Sequence, residues 1–558
     1  MPSLKANASG YTTACTLAAT TAFAQVPPDA GSIFREQQKP ALELPKPTPA
    51  IKLEEPARPA LPREGVTRFV LKSLSISGNT VFTQSELLAL VQDYIGREVG
   101  FDDLDAAAAR ISRYYRERGY IVARAYLPGQ QIIDGAVEIA VVEGRFGKVG
   151  INNRSRVRDG VVERFTSALP GSVVTERNLE RKLLLLDDLA GVDEARGTLS
   201  PGTNVGESDL SVEITPAPSI DGSVELDNYG NRFTGAWRLT GRVNVASPLR
   251  LGDALNGFFT KAFDGLEYGG LGYQIPLGGD GLKLGTAYSK GHYRLGRSFS
   301  ALDANGDFDT YSVSVSYAFI RSRNFNVYGR AGHAWNDFQD RVGATASSTD
   351  KSTRVYTLTL HGDARDSSGI TLYSIGYNGG RLDIETPAAR AIDDATARTH
   401  GHFNRWNLNA LRIQSLGERL SAHFLFAGQK ADGNLDSSEK FILGGANGVR
   451  AYPQGEASGD TGWLVTAELR YTLAFPSVPG VLQPFVFVDA GRVKVNENPF
   501  AAIDNTRRLA GAGIGVSWAS GRDFQVKMMI ATRIGSEPSR ASDSDRHTRG
   551  WVQAVKYF

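Results

Sequence analysis

The chain has 558 residues, enough for several domains or for one large barrel with appended modules. Its 62 lysines and arginines nearly balance 60 aspartates and glutamates, and no basic block favours a nucleic-acid partner. The single cysteine, Cys15, lies in a segment that we expect to be removed, which excludes a cysteine nucleophile, a Cys-based zinc site and disulfides. No stretch has the roughly 18 apolar residues of a membrane helix, so a location in the membrane would require a closed barrel.

Residues 1–24 are predicted to be a secretory signal peptide, since Ala22-Phe23-Ala24 forms an A-x-A cleavage site. A disordered or misassigned start is the alternative. Residues 25–66 are predicted to be an extended linker, because nine prolines lie between positions 26 and 62. One short helix, 29–38, is predicted within it.

Two compact α+β units are predicted next, at 67–144 and 145–216. The first has the order β-α-α-β-β, with one strand made by 69–71 and 74–76, helices at 83–95 and 101–118, and closing strands at 124–127 and 137–143. The second repeats this plan more loosely, with a strand at 148–151, helices at 159–169 and 175–189, a loop at 191–202 and a strand at 210–214.

From residue 217 to 558 the helical period is lost, and strands of about ten residues alternate apolar and polar side chains. In one such segment Trp237, Leu239, Gly241, Val243 and Val245 alternate with Arg238, Thr240, Arg242 and Asn244. In a second, the apolar face has Trp463, Val465, Ala467, Leu469 and Tyr471, and the polar face has Thr466, Glu468, Arg470 and Thr472. In a third, Phe487, Asp489 and Gly491 lie opposite Val486, Val488 and Ala490. Longer polar loops are predicted at 303–309, 344–351 and 383–398. The pattern predicts a transmembrane antiparallel β-barrel, and its length alone permits 14 or about 16 strands.

Two motifs in the barrel region resemble a known family. Val449-Arg450-Ala451-Tyr452 resembles the VRGY signature of the TpsB transporters of two-partner secretion, with Ala451 in place of the glycine. Phe487-Val488-Asp489-Ala490-Gly491 resembles the family's F-x-D-x-G strand motif. Residues 114–128 with 143–144, and 186–189 with 206–210, resemble the polypeptide-transport-associated (POTRA) domains of the same transporters. These belong to the haemolysin and filamentous-haemagglutinin activator type, within the BamA-like outer-membrane superfamily.

This resemblance implies a specific architecture: a barrel of about 16 strands at 217–558, preceded by two POTRA domains and an N-terminal plug helix with its linker. It also implies that loop 441–462 folds into the barrel, where Arg450 reaches Asp489. Separate solvation of the two charges is the alternative. The loop-barrel lock would include Val449, Tyr452, Gly444, Gly445, Phe487 and Gly491, and the plug helix would carry Phe34, Arg35 and Gln37.

The implied function is export of a TpsA-like adhesin or haemolysin across the bacterial outer membrane, with the POTRA domains in the periplasm. Their edge strands would capture the unfolded client, although individual residues cannot be assigned. Other implied partners are outer-membrane lipid and the barrel assembly machinery, and nucleic acid is not expected. A BamA/TamA-like assembly factor and a passive porin are the alternatives.

No catalytic or cofactor site is predicted. His400 and His402 lack an identifiable third metal ligand, and Asp303, Asn305, Asp307 and Asp309 begin like a calcium loop but have Ser314 where the bidentate glutamate belongs. We therefore expect a polar extracellular loop at the aspartates and no enzyme activity.

Overall fold

The computed structural model describes residues 27–38, 42, 51–53, 68–475, 478–502, 504–521, 523–541 and 545–558. The expected signal peptide and most of the expected linker lie outside these residues. Within them, no helix is both long enough and apolar enough to cross a bilayer.

The chain begins with a short capped helix, α1 (Ala30–Gln37). Asp29 accepts a hydrogen bond from the Ser32 main-chain N–H, and the Ser32 hydroxyl accepts one from the Asp29 N–H, both at 2.9 Å. This capping box sets the first turn. Eight residues are too few for an isolated helix to be stable in water, so α1 depends on the apolar contacts of Ile33 and Phe34 inside the barrel.

The first α+β unit contains β2 (Phe69–Val70), β3 (Ser73–Ser77), α2 (Gln84–Ala89), β4 (Glu98–Val99), α3 (Phe101–Glu117), β5 (Arg124–Tyr126) and β6 (Ala136–Val142). Its main sheet has the order β3-β6-β5. The buried Glu143 carboxylate accepts hydrogen bonds from the main-chain N–H groups of Thr80 and Val81 and from the Tyr115 hydroxyl. Burial alone would raise the pKa of Glu143, but the donated hydrogen bonds outweigh it and hold that pKa below its usual value.

The second α+β unit contains β7 (Arg145–Asn153), α4 (Asp159–Thr166), α5 (Glu176–Asp187), β8 (Val192–Pro201) and β9 (Glu207–Pro216). The predicted loop at 191–202 is wrong, because β8 pairs along its whole length with β9. Alternation of buried Ala195, Gly197 and Leu199 with polar neighbours is a strand pattern that the flanking glycine and proline obscured.

The predicted linker also contains a paired strand, which the sequence did not predict. Residues Ile51–Leu53 form β1, which pairs with β8 in parallel. The sheet order is therefore β1-β8-β9-β7.

The rest of the chain forms one closed antiparallel barrel. Its strands are β10 (Ile220–Asp227), β11 (Arg238–Ala246), β12 (Ala254–Ala262), β13 (Leu266–Leu277), β14 (Leu282–Arg294), β15 (Ala304–Ile320), β16 (Phe325–Val342), β17 (Ser347–Asp366), β18 (Gly369–Ile384), β19 (Gly401–Ser415), β20 (Leu420–Ala431), β23 (Thr461–Tyr471), β24 (Leu473–Phe475), β25 (Val478–Lys494), β26 (Thr506–Ser520), β27 (Phe524–Arg533) and β28 (Thr548–Tyr557). A helix, α6 (Pro387–Ala395), follows β18, and the short pair β21 (Phe441–Ile442) and β22 (Ser458–Gly459) follows β20.

The barrel has sixteen strands because β23 and β24 both pair with β25 and form one strand interrupted at Thr472. Pairing of β10 with β28 closes the cylinder. The barrel of about 16 strands implied by the family resemblance is thus confirmed. Trp463, Val465, Leu469 and Tyr471 of β23 are exposed on the outer face, as their alternation predicted, whereas Glu468 points inwards and is buried.

The second α+β unit docks against the barrel turns on its own side of the membrane. Arg321, in the turn after β15, donates two hydrogen bonds to the Asp188 carboxylate, at 2.8 and 2.9 Å. Because β10 starts on this side, the connections after β10, β12 and each following alternate strand lie at the opposite, extracellular end.

The prediction of polar loops at 303–309 and 344–351 is largely wrong. Asn305, Asp307 and Asp309 lie in β15, and residues 347–351 belong to β17. These strands have 17 and 20 residues, so at about 3.3 Å per residue they extend well beyond a bilayer core of about 30 Å. Polar side chains are compatible with the part of each strand that lies outside the bilayer core. The same composition is typical of loops, which explains the wrong prediction. The loop predicted at 383–398 contains α6.

Candidate functional site

Asp489 lies on the inner wall of the barrel. Its neighbours Val486 and Val488 on β25 are half exposed on the outer face, whereas Asp489 is completely buried. A carboxylate at this position requires a compensating partner, because an unpaired buried charge is costly.

Arg450 supplies that partner. Its Nε and Nη2 atoms donate to the two Asp489 carboxylate oxygens at 2.9 and 2.7 Å, and its main-chain N–H donates to the same carboxylate at 3.0 Å. The remaining nitrogen, Nη1, donates to Glu468 at 2.8 Å. The guanidinium carbon also lies 3.3 Å from the centre of the Phe487 ring, in cation–π contact. These contacts fix both the position and the orientation of the guanidinium group.

Further contacts complete and balance the network. The Thr466 hydroxyl donates to Asp489 at 3.0 Å, and Arg470 pairs with the second Glu468 oxygen at 2.5 Å. Two guanidinium groups and two carboxylates therefore alternate in one hydrogen-bonded network. The Trp551 indole N–H donates to the Arg450 carbonyl at 2.7 Å, which ties the same residue to β28.

Arg450 belongs to residues 441–460, here called the lumen loop, which pack against the inner wall. Two wall glycines make room for this segment. A side chain at Gly491 would collide with Leu443, and a Cβ at Gly511 would lie 2.5 Å from that of Ala451. Ala451 has no positive φ, so the alanine that replaces the family's glycine is accommodated here without left-handed backbone.

The other residues singled out from the sequence lie in or beside the lumen loop. Val449 and Tyr452 are fully buried, and the Tyr452 hydroxyl donates to the Glu537 carbonyl at 3.0 Å. Gly445 adopts a φ of 116°, a region that favours glycine, and the Gly444 N–H donates to the Glu456 carbonyl at 2.9 Å. The structure therefore brings all eight predicted lock residues together.

A second anchor holds the returning part of the lumen loop. The Glu456 carboxylate accepts a hydrogen bond from Arg507 of β26 at 2.8 Å. It also accepts hydrogen bonds from the Ser539 hydroxyl and the Arg540 and Ala541 main-chain N–H groups, in the last extracellular connection. The loop is thus fastened at mid-barrel and again near the outer mouth.

Helix α1 fills another part of the lumen, and its N-terminus is clamped by charge. Lys351 of β17 donates to Asp29 and to Asp436, both at 2.8 Å, and is itself almost completely buried. The Ala30 N–H donates to Asp340 of β16 at 2.8 Å. Since Asp436 lies in the connection that leads to the lumen loop, Lys351 joins the helix to the base of that loop.

The predicted plug residues contact the barrel and the lumen loop. Phe34 packs edge-to-face on Phe308 and Phe338, with ring centres 5.6 and 5.5 Å away. Arg35 Nε donates to the Lys440 carbonyl at 2.9 Å. Gln37 accepts a hydrogen bond from Arg238 at 3.4 Å.

Two cavities remain beside the helix. One, of about 620 Å³, is lined by α1, the lumen loop and charged residues that include Asp227, Arg238 and Arg242. The other, of about 600 Å³, is lined mostly by polar residues such as Arg330, Asn378 and Asn407. Each has the volume of a small-molecule pocket, and each is lined in part by α1 and by the lumen loop.

Sequence reasoning missed two members of the site. Glu468 was correctly assigned to the polar face of its strand but was not recognised as a partner of Arg450. Lys351 was not recognised at all, since it lies 322 residues from Asp29 and no motif marks it.

We expect Arg450→Ala to free the lumen loop while leaving the barrel closed. The change would leave the Asp489 carboxylate buried without its cation, which costs about 3–5 kcal/mol. Hydrogen exchange of residues 441–460, followed by mass spectrometry, should therefore accelerate by roughly two to three orders of magnitude, with the barrel strands unchanged. Arg450→Lys should give an intermediate rate because it loses the bidentate contact.

Arg492→Ala is the matched control, because Arg492 lies on β25 with its side chain exposed. Unchanged exchange of the loop in the Arg450→Ala protein would show that the loop is held by other contacts.

Comparison with known proteins identifies the family to which the chain belongs. The family described as "Haemolysin secretion/activation protein ShlB/FhaC/HecB" matches residues 206–518, and "POTRA domain, ShlB-type" matches residues 69–144. The heme/hemopexin transporter protein HuxB of Haemophilus influenzae is 27% identical over 543 residues, covering 95% of each chain. The outer membrane transporter CdiB of Dickeya dadantii is 25% identical over 471 residues, covering 81% of this chain and 80% of its own.

Among solved structures, CdiB from Escherichia coli superposes with a TM-score of 0.73 at 20% identity, covering 90% of this chain and 93% of its own. That similarity concerns the fold. The family match extends over more than half of the chain and includes both Arg450 and Asp489. The chain therefore belongs to the ShlB/FhaC/HecB family of TpsB transporters, which carry out outer-membrane translocation in two-partner secretion.

Proposed function

We propose that this transporter is a gated conduit for one partner exoprotein, closed at rest by α1 and the lumen loop together. The exoprotein is a TpsA-type adhesin or haemolysin that crosses the barrel unfolded. Its capture uses the sheet edges of the periplasmic POTRA units, and its folding outside the cell drives export without nucleotide hydrolysis.

The observation that carries this proposal is how the lumen is filled. The lumen loop and α1 each combine apolar packing against the inner wall with charged anchors: Arg450 with Asp489, Glu456 with Arg507, and Lys351 with Asp29. The charged anchors can exchange their partners for water or for a polar client when a segment moves. Loss of these anchors would therefore be the first step of opening.

The short length of α1 favours its release from the lumen. An eight-residue helix is not stable alone in water, so α1 is folded only while it occupies the lumen. Its release exchanges lumen contacts for solvent and restores chain entropy. Because Arg35 contacts Lys440, departure of the helix also removes a contact from the base of the lumen loop.

We expect weakening of the helix clamp to open the pore. Lys351→Ala leaves Asp29 and Asp436 without their cation, so large conductance steps in planar lipid bilayers should become more frequent. Deletion of residues 27–38 should raise the conductance most. Lys290→Ala is the control, because Lys290 is exposed on the outer face of β14 and pairs only with the partly exposed Asp309. Equal conductance of the Lys351→Ala and wild-type proteins would contradict a plugging role for α1.

We expect export to depend on the lumen loop. The chain would be produced in a host that lacks such transporters, together with a TpsA-type exoprotein from the same organism, and the medium assayed for that exoprotein. Arg450→Ala should abolish export although the protein still inserts and shows heat-modifiable migration, because the loop no longer adopts one defined resting position. Arg492→Ala should export normally. Wild-type export by Arg450→Ala would remove the lock from the mechanism.

A further inference from the structure

The second α+β unit already carries an added strand. Strand β1 pairs in parallel with β8, with Ile51 opposite Gly197, Lys52 opposite Thr198 and Leu53 opposite Leu199. This strand comes from the proline-rich segment between α1 and the first unit, so it is not an integral part of the sheet. It occupies what would otherwise be the outer edge.

That edge is long. Strand β8 has ten residues, and its other side pairs with β9 from Val192 to Pro201; among the residues that the structure describes, β1 pairs with three of them. A long strand edge is a template for another strand.

The covering segment is poorly suited to hold the edge permanently. Prolines at positions 49 and 56 flank β1 in the sequence, and proline cannot donate a ladder hydrogen bond, so pairing cannot extend beyond them. At about 0.5–1.5 kcal/mol for each hydrogen bond, a three-residue pairing is weak. A longer extended segment without prolines could pair with the whole of β8.

The residues of β8 also indicate the chemistry of such a segment. Ala195, Gly197 and Leu199 are buried beneath the helices of the unit, whereas Arg196 is exposed and Thr198 half buried. Since paired residues share a face of the sheet, an added strand continues this pattern when it is apolar at every second position. The sequence Ile51-Lys52-Leu53 has that alternation in its shortest form.

We propose that β8 is the docking edge for the exported polypeptide, and that β1 occupies it until the client displaces it. The client segment is extended, apolar at alternate positions and parallel to β8. This inference rests on the proposed export function and assigns its capture step to one strand.

A pair of cysteines tests the proposal in the full-length transporter. Lys52→Cys with Thr198→Cys joins directly opposed positions, and the native Cys15 is the only other cysteine in the sequence. Lys52→Cys with Ser211→Cys is the control, because Ser211 pairs with Thr198 from the far side and lies about 9–10 Å from β1, too far for a disulfide.

We expect the first pair to cross-link on mild oxidation and the control pair not to. Export of the same TpsA-type exoprotein should fall at least about tenfold when the edge is locked, and it should recover on reduction. Failure of the first pair to cross-link would show that β1 does not occupy the edge. Full export by the cross-linked protein would show that the client docks elsewhere. Absence of export by the reduced variants and the wild type alike would instead contradict the proposed function.

A peptide provides a readout that does not require the client. We expect a fluorescent ten-residue peptide without proline, apolar at every second position, to bind Lys52→Pro, which changes the middle residue of β1, about tenfold more tightly than the wild type, where the tethered strand competes. The cross-linked protein should not bind it. Equal binding to the cross-linked and Lys52→Pro proteins would overturn the assignment of the edge.

Discussion

A charge inside a membrane barrel must be compensated, and this constraint determines how the lumen is organised. Asp489 and Glu468 face inwards from adjacent strands, so the wall itself presents two buried carboxylates. Arg450 is brought to them by a loop that starts at the extracellular end, whereas Arg470 pairs with Glu468 from the wall itself. The loop and Asp489 therefore depend on each other: the loop places its guanidinium against both carboxylates, and the ion pair of Asp489 forms only when the loop is there.

The helix and the lumen loop are not independent obstructions. Lys351 contacts both Asp29, at the start of α1, and Asp436, ahead of the lumen loop, while Arg35 donates to Lys440. A movement of either segment changes the contacts of the other. This shared boundary allows a movement of α1 to influence the lumen loop.

The sequence was most informative where a local pattern has one structural consequence. Alternation along 461–472 and 485–491 identified the outer and inner faces of β23 and β25, because a strand places successive side chains on opposite sides. The motifs around Arg450 and Asp489 then indicated the pair. The contacts that could not be predicted depend on the register between segments that are distant in the sequence. The pairing of Thr466 with Asp489 places Glu468 near Arg450, and Lys351 meets Asp29 only after the barrel has closed. The three-residue strand β1 was missed because its proline-rich surroundings favour an extended linker.

The central claim, that the lumen loop lies inside the barrel and is held there by Arg450, is tested most directly by labelling a cysteine at Ala446 in whole cells. Ala446 lines the lumen cavity and is buried, so a bulky, membrane-impermeant maleimide should label Ala446→Cys slowly, and quickly when Arg450→Ala is added. A cysteine at Asp432, an exposed residue before the lumen loop, should be labelled quickly in both backgrounds. Rapid labelling of Ala446→Cys with Arg450 intact would contradict the account.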